Sequence, residues 1–145
     1  MVEGAGRHPV IVAAAVLWRD GGVLLTRRME GAHLAGYWEF PGGKVEPGED
    51  PEEALVRECR EECGIEVRVR DILDVGFHRY EMKHVLLLFY ECELLSGEVQ
   101  HLGVADHAWC PPEGLLDYRL PPPDARVVQK LREGRRSLDS LGDGS

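Results

Sequence analysis

The sequence predicts an α/β domain in which one mixed β-sheet carries helices on its faces. Three observations predict it. The chain has 145 residues, within the roughly 100–200 of a single domain. Apolar runs of strand length recur along it, punctuated by Gly and Pro. One well-marked helix interrupts those runs and a second follows them, and a sheet covered by helices is the simplest packing of such an order. Hydrophobic residues make up 43% and charged residues 30%, as in an ordinary globular domain. The 17 Gly and 9 Pro show no period, which excludes a collagen-like or low-complexity chain.

Val10–Trp18 and Gly22–Arg27 read as a β-hairpin around Arg19-Asp20-Gly21-Gly22. The first run is apolar and follows Arg7, but Glu3 spoils a basic leader and the chain turns directly into a second strand. A signal peptide is therefore not expected, and no run approaches the ~20 apolar residues of a membrane span. Met29–Gly36 is expected as a loop, Tyr37–Phe40 as a short strand, and Gly42–Glu49 as a loop. Asp50–Cys63 is the clearest helix. Asp50 suits the N-cap, Pro51 the first helical position, Glu53 a capping box, and Gly64 the C-terminal stop. Ile65–His78 and His84–Leu95 read as long strands. Val85–Tyr90 is apolar throughout, so it is expected to be central and covered on both faces. Asp106–Cys110 is a short strand, Pro112–Leu116 a helical turn, and Asp124–Arg132 a terminal helix N-capped by Asp124. The domain is expected to span residues 1–133, with 134–145 a disordered polar tail.

The net charge is −9, from 26 acidic and 17 basic residues. Such a chain is a poor ligand for nucleic acid polymers, whose phosphates need Lys and Arg. A phosphate-bearing small molecule would need an added positive charge, and a divalent cation held by carboxylates supplies one. Cys59, Cys63, Cys92 and Cys110 form no C-x-x-C pair, so they are expected to be buried thiols in a reducing cytoplasm.

The helix at Asp50–Cys63 carries the chemistry. At 100° per residue, Leu55, Val56, Cys59 and Cys63 share one face, and Glu58, Glu61 and Glu62 share another. Like charges at i, i+3 and i+4 oppose the helix by about 0.2–0.5 kcal/mol per pair. Three carboxylates projecting together suit a hard cation with oxygen ligands, and Glu49 can point at the same place. The plainer reading of this helix alone is a solvated acidic face.

Spacing decides between them. Gly43, Glu49, Arg57, Glu58, Glu61, Glu62 and Gly64 fit G-x5-E-x7-R-E-U-x-E-E-x-G-U, where U is bulky and apolar. At roughly 7% usage per residue type, seven fixed matches arise by chance on the order of 10⁻⁸ per starting position. The segment resembles the Nudix box, with Cys59 at a U position as its one departure. Thr26-Arg27-Arg28, His33, Trp38–Lys44, Trp109 and Leu120–Asp124 resemble the MutT branch of that superfamily. The resemblance covers residues 10–132.

The resemblance implies a Nudix fold, an α/β/α sandwich with a mixed sheet. It implies Mg²⁺-dependent hydrolysis, with Mn²⁺ as a substitute, of a (deoxy)nucleoside triphosphate to the monophosphate and pyrophosphate. It implies that Glu58, Glu61 and Glu62 hold the metal with a carbonyl of Gly42 or Gly43, that one of them or a neighbour, Glu58 first, activates the water, and that Glu49 and Arg57 support them. Arg28, His33, Glu39, Phe40, Pro41, Gly42 and Asp124 are the expected substrate contacts. Asp106 or Glu98 is expected to add a carboxylate. The expected partner is a nucleotide alone, for a monomer or homodimer without membrane contact.

Asp124 departs from the branch that prefers oxidised guanine nucleotides, where Asn stands in the closing P-P-x-N. As an ionised base reader it accepts only, favouring cytosine and guanine over uracil and thymine; the plainer reading is that it merely caps the last helix, and the two roles can coexist. Alternatives to triphosphate hydrolysis are a dinucleoside polyphosphate or nucleotide-sugar substrate, and a non-catalytic nucleotide-binding module. An EF-hand is excluded, since no D-x-D-x-D-G loop occurs.

Overall fold

A computed structural model describes residues 8–134. Seven strands and two helices run in the order β1 (Val10–Arg19), β2 (Gly22–Arg27), β3 (Trp38–Glu39), β4 (Gly42–Lys44), α1 (Pro51–Cys63), β5 (Glu66–Arg79), β6 (His84–Ser96), β7 (Asp106–Cys110) and α2 (Ala125–Arg132). Short 3₁₀ turns occupy Pro112–Asp117 and Pro122–Asp124. The expected 134–145 tail lies, apart from Gly134, outside the described residues.

The sheet is mixed and splayed. β1 runs parallel to β6, from Val10 opposite Val85 to Trp18 opposite Glu93. β5 continues the sheet antiparallel to β6. β1 meets β2 only at the hairpin end, Trp18 opposite Val23 and Arg19 opposite Gly22. β2 then diverges to pair with β3 and β7. β4 fills the opening against Val12–Ala14 of β1.

Alternation along β1 builds two cores. Ala14 and Val16 face one side, with Phe89, Val127, Val128 and Leu131 beneath α2. Ala13, Ala15 and Leu17 face the other, with Leu55, Cys59, Cys63 and Cys92 beneath α1. Successive strand residues point to opposite faces, so one apolar strand serves both helices and the α/β/α layering follows. Helix α1 has the expected caps. Asp50 accepts from the Glu53 amide at 2.8 Å, Glu53 accepts from the Asp50 amide at 3.0 Å, and Gly64 ends the helix at φ +66°.

Three expectations change. Gly42–Glu49 begins with strand β4, because two bare glycines let the backbone lie against Ala13; an ideal Cβ on Gly42 would stand 2.0 Å from the Ala13 carbonyl oxygen. β6 is central but not covered throughout. Val85 and Phe89 are buried, whereas Leu86 and Leu88 are half-buried beside the exposed Ile11, Val75 and Phe77. A 13-residue helix is only about 20 Å long and leaves that end of its face open. Finally, Asp124 precedes α2 but makes no capping hydrogen bond. Its backbone is already αR, closing the 3₁₀ turn of Pro122, Pro123 and itself, so its side chain is turned away from the α2 amides.

Candidate active site

The C-terminal half of α1 and the Gly42-Gly43 turn are locked together by Arg57. Its Nε and Nη2 donate to the two oxygens of Glu49 at 2.7 and 3.0 Å. Nη1 donates to Glu58 at 3.2 Å and to Glu61 at 3.1 Å, and Nη2 to the Lys44 carbonyl at 3.1 Å. All five N–H groups of the guanidinium are engaged. Arg57 therefore fixes Glu58 from behind and ties the helix to β4; its hydrogen bonds hold Glu49 below the usual carboxylate range. Gly43 lies directly under Glu58: an ideal Cβ there would be 2.3 Å from the Glu58 Cδ.

Glu58 and Glu62 face a cavity of about 310 Å³. Its floor is the α2-facing side of β1 and β6, including Val12, Leu87 and Phe89. Gly42, Gly43 and Glu39 border the acidic end; Pro123 and Asp124 close the other. Arg28, Lys44 and Lys83 also line it and can meet an anion. Arg28 pairs with Glu39 through Nη1 at 2.8 and 3.0 Å, and its Nε donates to the His33 carbonyl. His33 packs edge-on against Tyr80, with ring centroids 5.0 Å apart.

Burial, with Glu58 and Glu39 as like-charged neighbours, pushes Glu62 up to about 8. Burial also raises Glu58 and Glu39, against the opposing pull of Arg57 and Arg28 respectively. Crowded carboxylates of this kind accept a cation readily, and oxygen donors suit a hard divalent ion. Two bare glycines let backbone carbonyls approach the same place. The residues present therefore fit the metal that the sequence implies.

The far end is built differently. Asp124 is 2% exposed and is raised well above the usual range, by burial first and by Glu39 second. It is held there by α2, whose Arg126 reaches the β5 residue Asp74 at 2.7 and 3.1 Å and whose Lys130 donates to the Leu73 carbonyl at 3.1 Å. Gly76 on β5 leaves room for Pro123, whose carbonyl oxygen would be 2.8 Å from a Cβ there. The expected ionised acceptor is thus corrected: burial favours the neutral acid, which both donates and accepts.

Of the residues expected from sequence, Arg28, His33, Glu39, Phe40, Gly42, Gly43, Glu58, Glu62 and Asp124 line the cavity. Pro41 contributes its carbonyl to the Ala15 amide at 2.7 Å and does not line it. Glu49 and Arg57 lie behind the wall. Glu61 is 60% exposed and turned to Arg57. Neither candidate for a later carboxylate reaches the cavity: Glu98 is 86% exposed on Arg19, and Asp106 lies beside His101. Tyr80, Lys83 and the Val85-Leu87-Phe89 row escaped sequence reasoning. The alternation of β6 could have found the row, but the apolar run hid which face was which.

The NUDIX domain pattern matches residues 7–131. A CTP pyrophosphohydrolase of Escherichia coli K12 is 39% identical over 120 residues, 81% of this chain and 87% of that protein. An 8-oxo-dGTP diphosphatase of the same strain is 36% identical over 110 residues, 76% of this chain and 85% of that protein. The crystal structure of a MutT protein from Methanosarcina mazei Go1 is similar with a TM-score of 0.80 at 27% identity, covering 90% of this chain and 98% of that one. The match takes in both the Arg57-centred carboxylates and the strands that floor the cavity, and on it this chain belongs to the NUDIX domain family, among its hydrolases.

Proposed function

We propose that this chain hydrolyses a (deoxy)nucleoside triphosphate, of the CTP or 8-oxo-dGTP type, to the monophosphate and pyrophosphate with Mg²⁺. The observation that carries the reading is the two-ended cavity. Glu58, Glu62 and Gly42-Gly43 stand at one end, and an apolar chamber closed by Asp124 stands at the other. A base placed against Phe89 and Asp124 directs its phosphates toward α1. The names of the two Escherichia coli relatives support the same substrate class.

Nudix hydrolases generally use a divalent metal. Glu58 and Glu62, with a carbonyl of Gly42 or Gly43, would hold the ion, and Glu61 would join them by exchanging its contact with Arg57. Bound there, the ion would supply neutralising charge for the phosphates and would acidify a water. Glu58 takes the water's proton, and Arg57 sets its orientation. Arg28 and Lys83 face the anion from the cavity rim, and Glu39 keeps Arg28 extended. Asp124 reads the base edge. Four buried free thiols accord with a cytoplasmic setting.

The test is a panel of normal and oxidised (deoxy)nucleoside triphosphates with Mg²⁺, scored for pyrophosphate and orthophosphate. Pyrophosphate and monophosphate are the expected products. Orthophosphate release, or hydrolysis of nucleotide sugars alone, would replace the reading.

A further inference from the structure

A second cluster of ligand-type side chains stands apart from the cavity. His101 lies in the loop between β6 and β7, and Asp106 and His107 open β7. His101 Nε2 and His107 Nδ1 face each other at 2.8 Å, and the Asp106 carboxylate is 4.0 Å from His101 Nε2. One ligand atom from each lies within 4.8 Å of the others. None of the three lines the cavity. We propose that His101, Asp106 and His107 form a second metal site, selective for a borderline transition ion such as Zn²⁺ and distinct from the carboxylate site on α1.

Donor chemistry separates the two sites. The α1 site offers oxygen alone and suits a hard ion. Two imidazoles and one carboxylate suit Zn²⁺, Co²⁺ or Cu²⁺ over Mg²⁺. The backbone holds the donors in place. The Gln100 amide donates to the Cys63 carbonyl at 2.9 Å, and the Leu102 amide to the Glu62 carbonyl at 3.1 Å, so His101 is anchored on both sides. Asp106 Oδ1 accepts from the His107 amide at 2.8 Å, and the same oxygen faces His101 Nε2, so the carboxylate is held beside the two rings. Tetrahedral Zn–N bonds of about 2.0–2.1 Å place two nitrogens about 3.3 Å apart. The exposed His101 ring would therefore swing out by about 0.5 Å. The proton now shared between the rings moves to an outer ring nitrogen, so neutral histidines release none. Solvent at the exposed His101 edge supplies the fourth ligand.

The test is calorimetric titration of the tag-free full chain with Zn²⁺ in excess Mg²⁺, which fills the oxygen site, with Co²⁺ absorption as a second readout. One equivalent is expected, with tetrahedral Co²⁺ bands. Loss of an outer-shell partner alone costs about 10–100-fold in metal affinity, so His101→Ala and His107→Ala should each weaken binding by at least about 100-fold. Asp106→Asn, which keeps an oxygen for the His107 amide, should weaken it less. No saturable binding under excess Mg²⁺, or equal binding by His101→Ala and the unaltered chain, would overturn the proposal. Should His107→Ala fail to fold, His101→Ala, on an exposed loop, decides alone.

Discussion

The two ends of the cavity each bury carboxylates, and they differ in what surrounds them. At the α1 end Glu58 and Glu62 share space with Glu39, and Arg57 binds Glu58 from behind. At the α2 end Asp124 stands among prolines and Phe89, with no capping or ion-pair partner among the described residues. Both Glu62 and Asp124 are raised, but the remedies differ. Burial is the first cause at both, but Glu62 is crowded by Glu58, Glu39 and Glu61, which a cation relieves, whereas Asp124 has Glu39 as its like-charged neighbour and is relieved by keeping its proton. On the proposed function, the same residue chemistry would hold a metal at one end and read a base with one donor and one acceptor at the other.

The largest effect expected is at the crowded end. Glu62→Gln should lower kcat by at least about 10²–10⁴-fold, the range associated with losing an aligned proton-transfer or metal group. Its effect on stability has the opposite sign. Because the folded pKa of Glu62 lies above its unfolded value, its contribution is fully present below about pH 4.5 and is lost as pH rises toward about 8. Without metal, Glu62→Gln should therefore melt higher than the unaltered chain by a margin that grows over that window. Saturating Mg²⁺ should remove the margin. Equal melting temperatures at all pH values would mean that Glu62 is not crowded.

Gly42 and Gly43 split packing from chemistry. A methyl on Gly42 meets backbone, the Ala13 carbonyl, at a φ of +153°. A methyl on Gly43 meets only the movable end of Glu58. Gly42→Ala should therefore cost several degrees of melting temperature together with activity. Gly43→Ala should keep the fold and lose about 10²-fold or more in kcat by displacing a proton-accepting carboxylate. Thermal melts and kcat measured on both variants check this; the reverse pattern would remove Glu58 from its assigned place.

Asp124 gives an intermediate effect, read in specificity. A neutral acid offers one donor and one acceptor, which matches cytosine and uracil edges alike; an ionised one matches only donors. The preference for CTP over UTP should therefore sharpen as pH rises and flatten as it falls. Asp124→Asn imitates the neutral form, so it should lose that pH dependence while remaining folded. Its melting temperature should also gain on the unaltered chain as pH rises, since the raised folded pKa of Asp124 makes its stability contribution fade in that direction. Ratios of kcat/KM across pH are the measurement, and an unchanged pH profile in Asp124→Asn would place base reading elsewhere.

The smallest effect is expected at the thiols. Cys59, Cys63 and Cys92 are buried, and burial raises all three, so little reactive thiolate forms. Cys59→Leu should leave kcat/KM within about twofold, since Cys59 packs in the α1-side core rather than the cavity, while the larger side chain lowers the melting temperature by overpacking. Brief alkylation of the folded protein should leave these three thiols unlabelled by mass spectrometry.

The local part of this protein follows from its sequence alone. Asp50, Glu53 and Gly64 set the ends of α1 through contacts within a few residues, and the i, i+3, i+4 spacing put three glutamates on one side of it. Glu49 and Arg57 are eight positions apart and joined across a single turn, so the box was legible as a unit. The rest depended on contacts distant in the chain. Whether Gly42–Lys44 is loop or strand was decided by β1, because glycine has no strand preference of its own. Which glutamates line the cavity was decided by where the Gly42-Gly43 turn packs on α1: Gly43 lies under Glu58 and Glu62 lines the same cavity, while Glu61 stays 60% exposed. Asp124 has the sequence signature of a cap, and only the packing of α2 on Asp74 and of Pro123 on Gly76 made it a buried acid. A side chain's burial fixes its protonation, and burial is set by neighbours that lie far away in the chain.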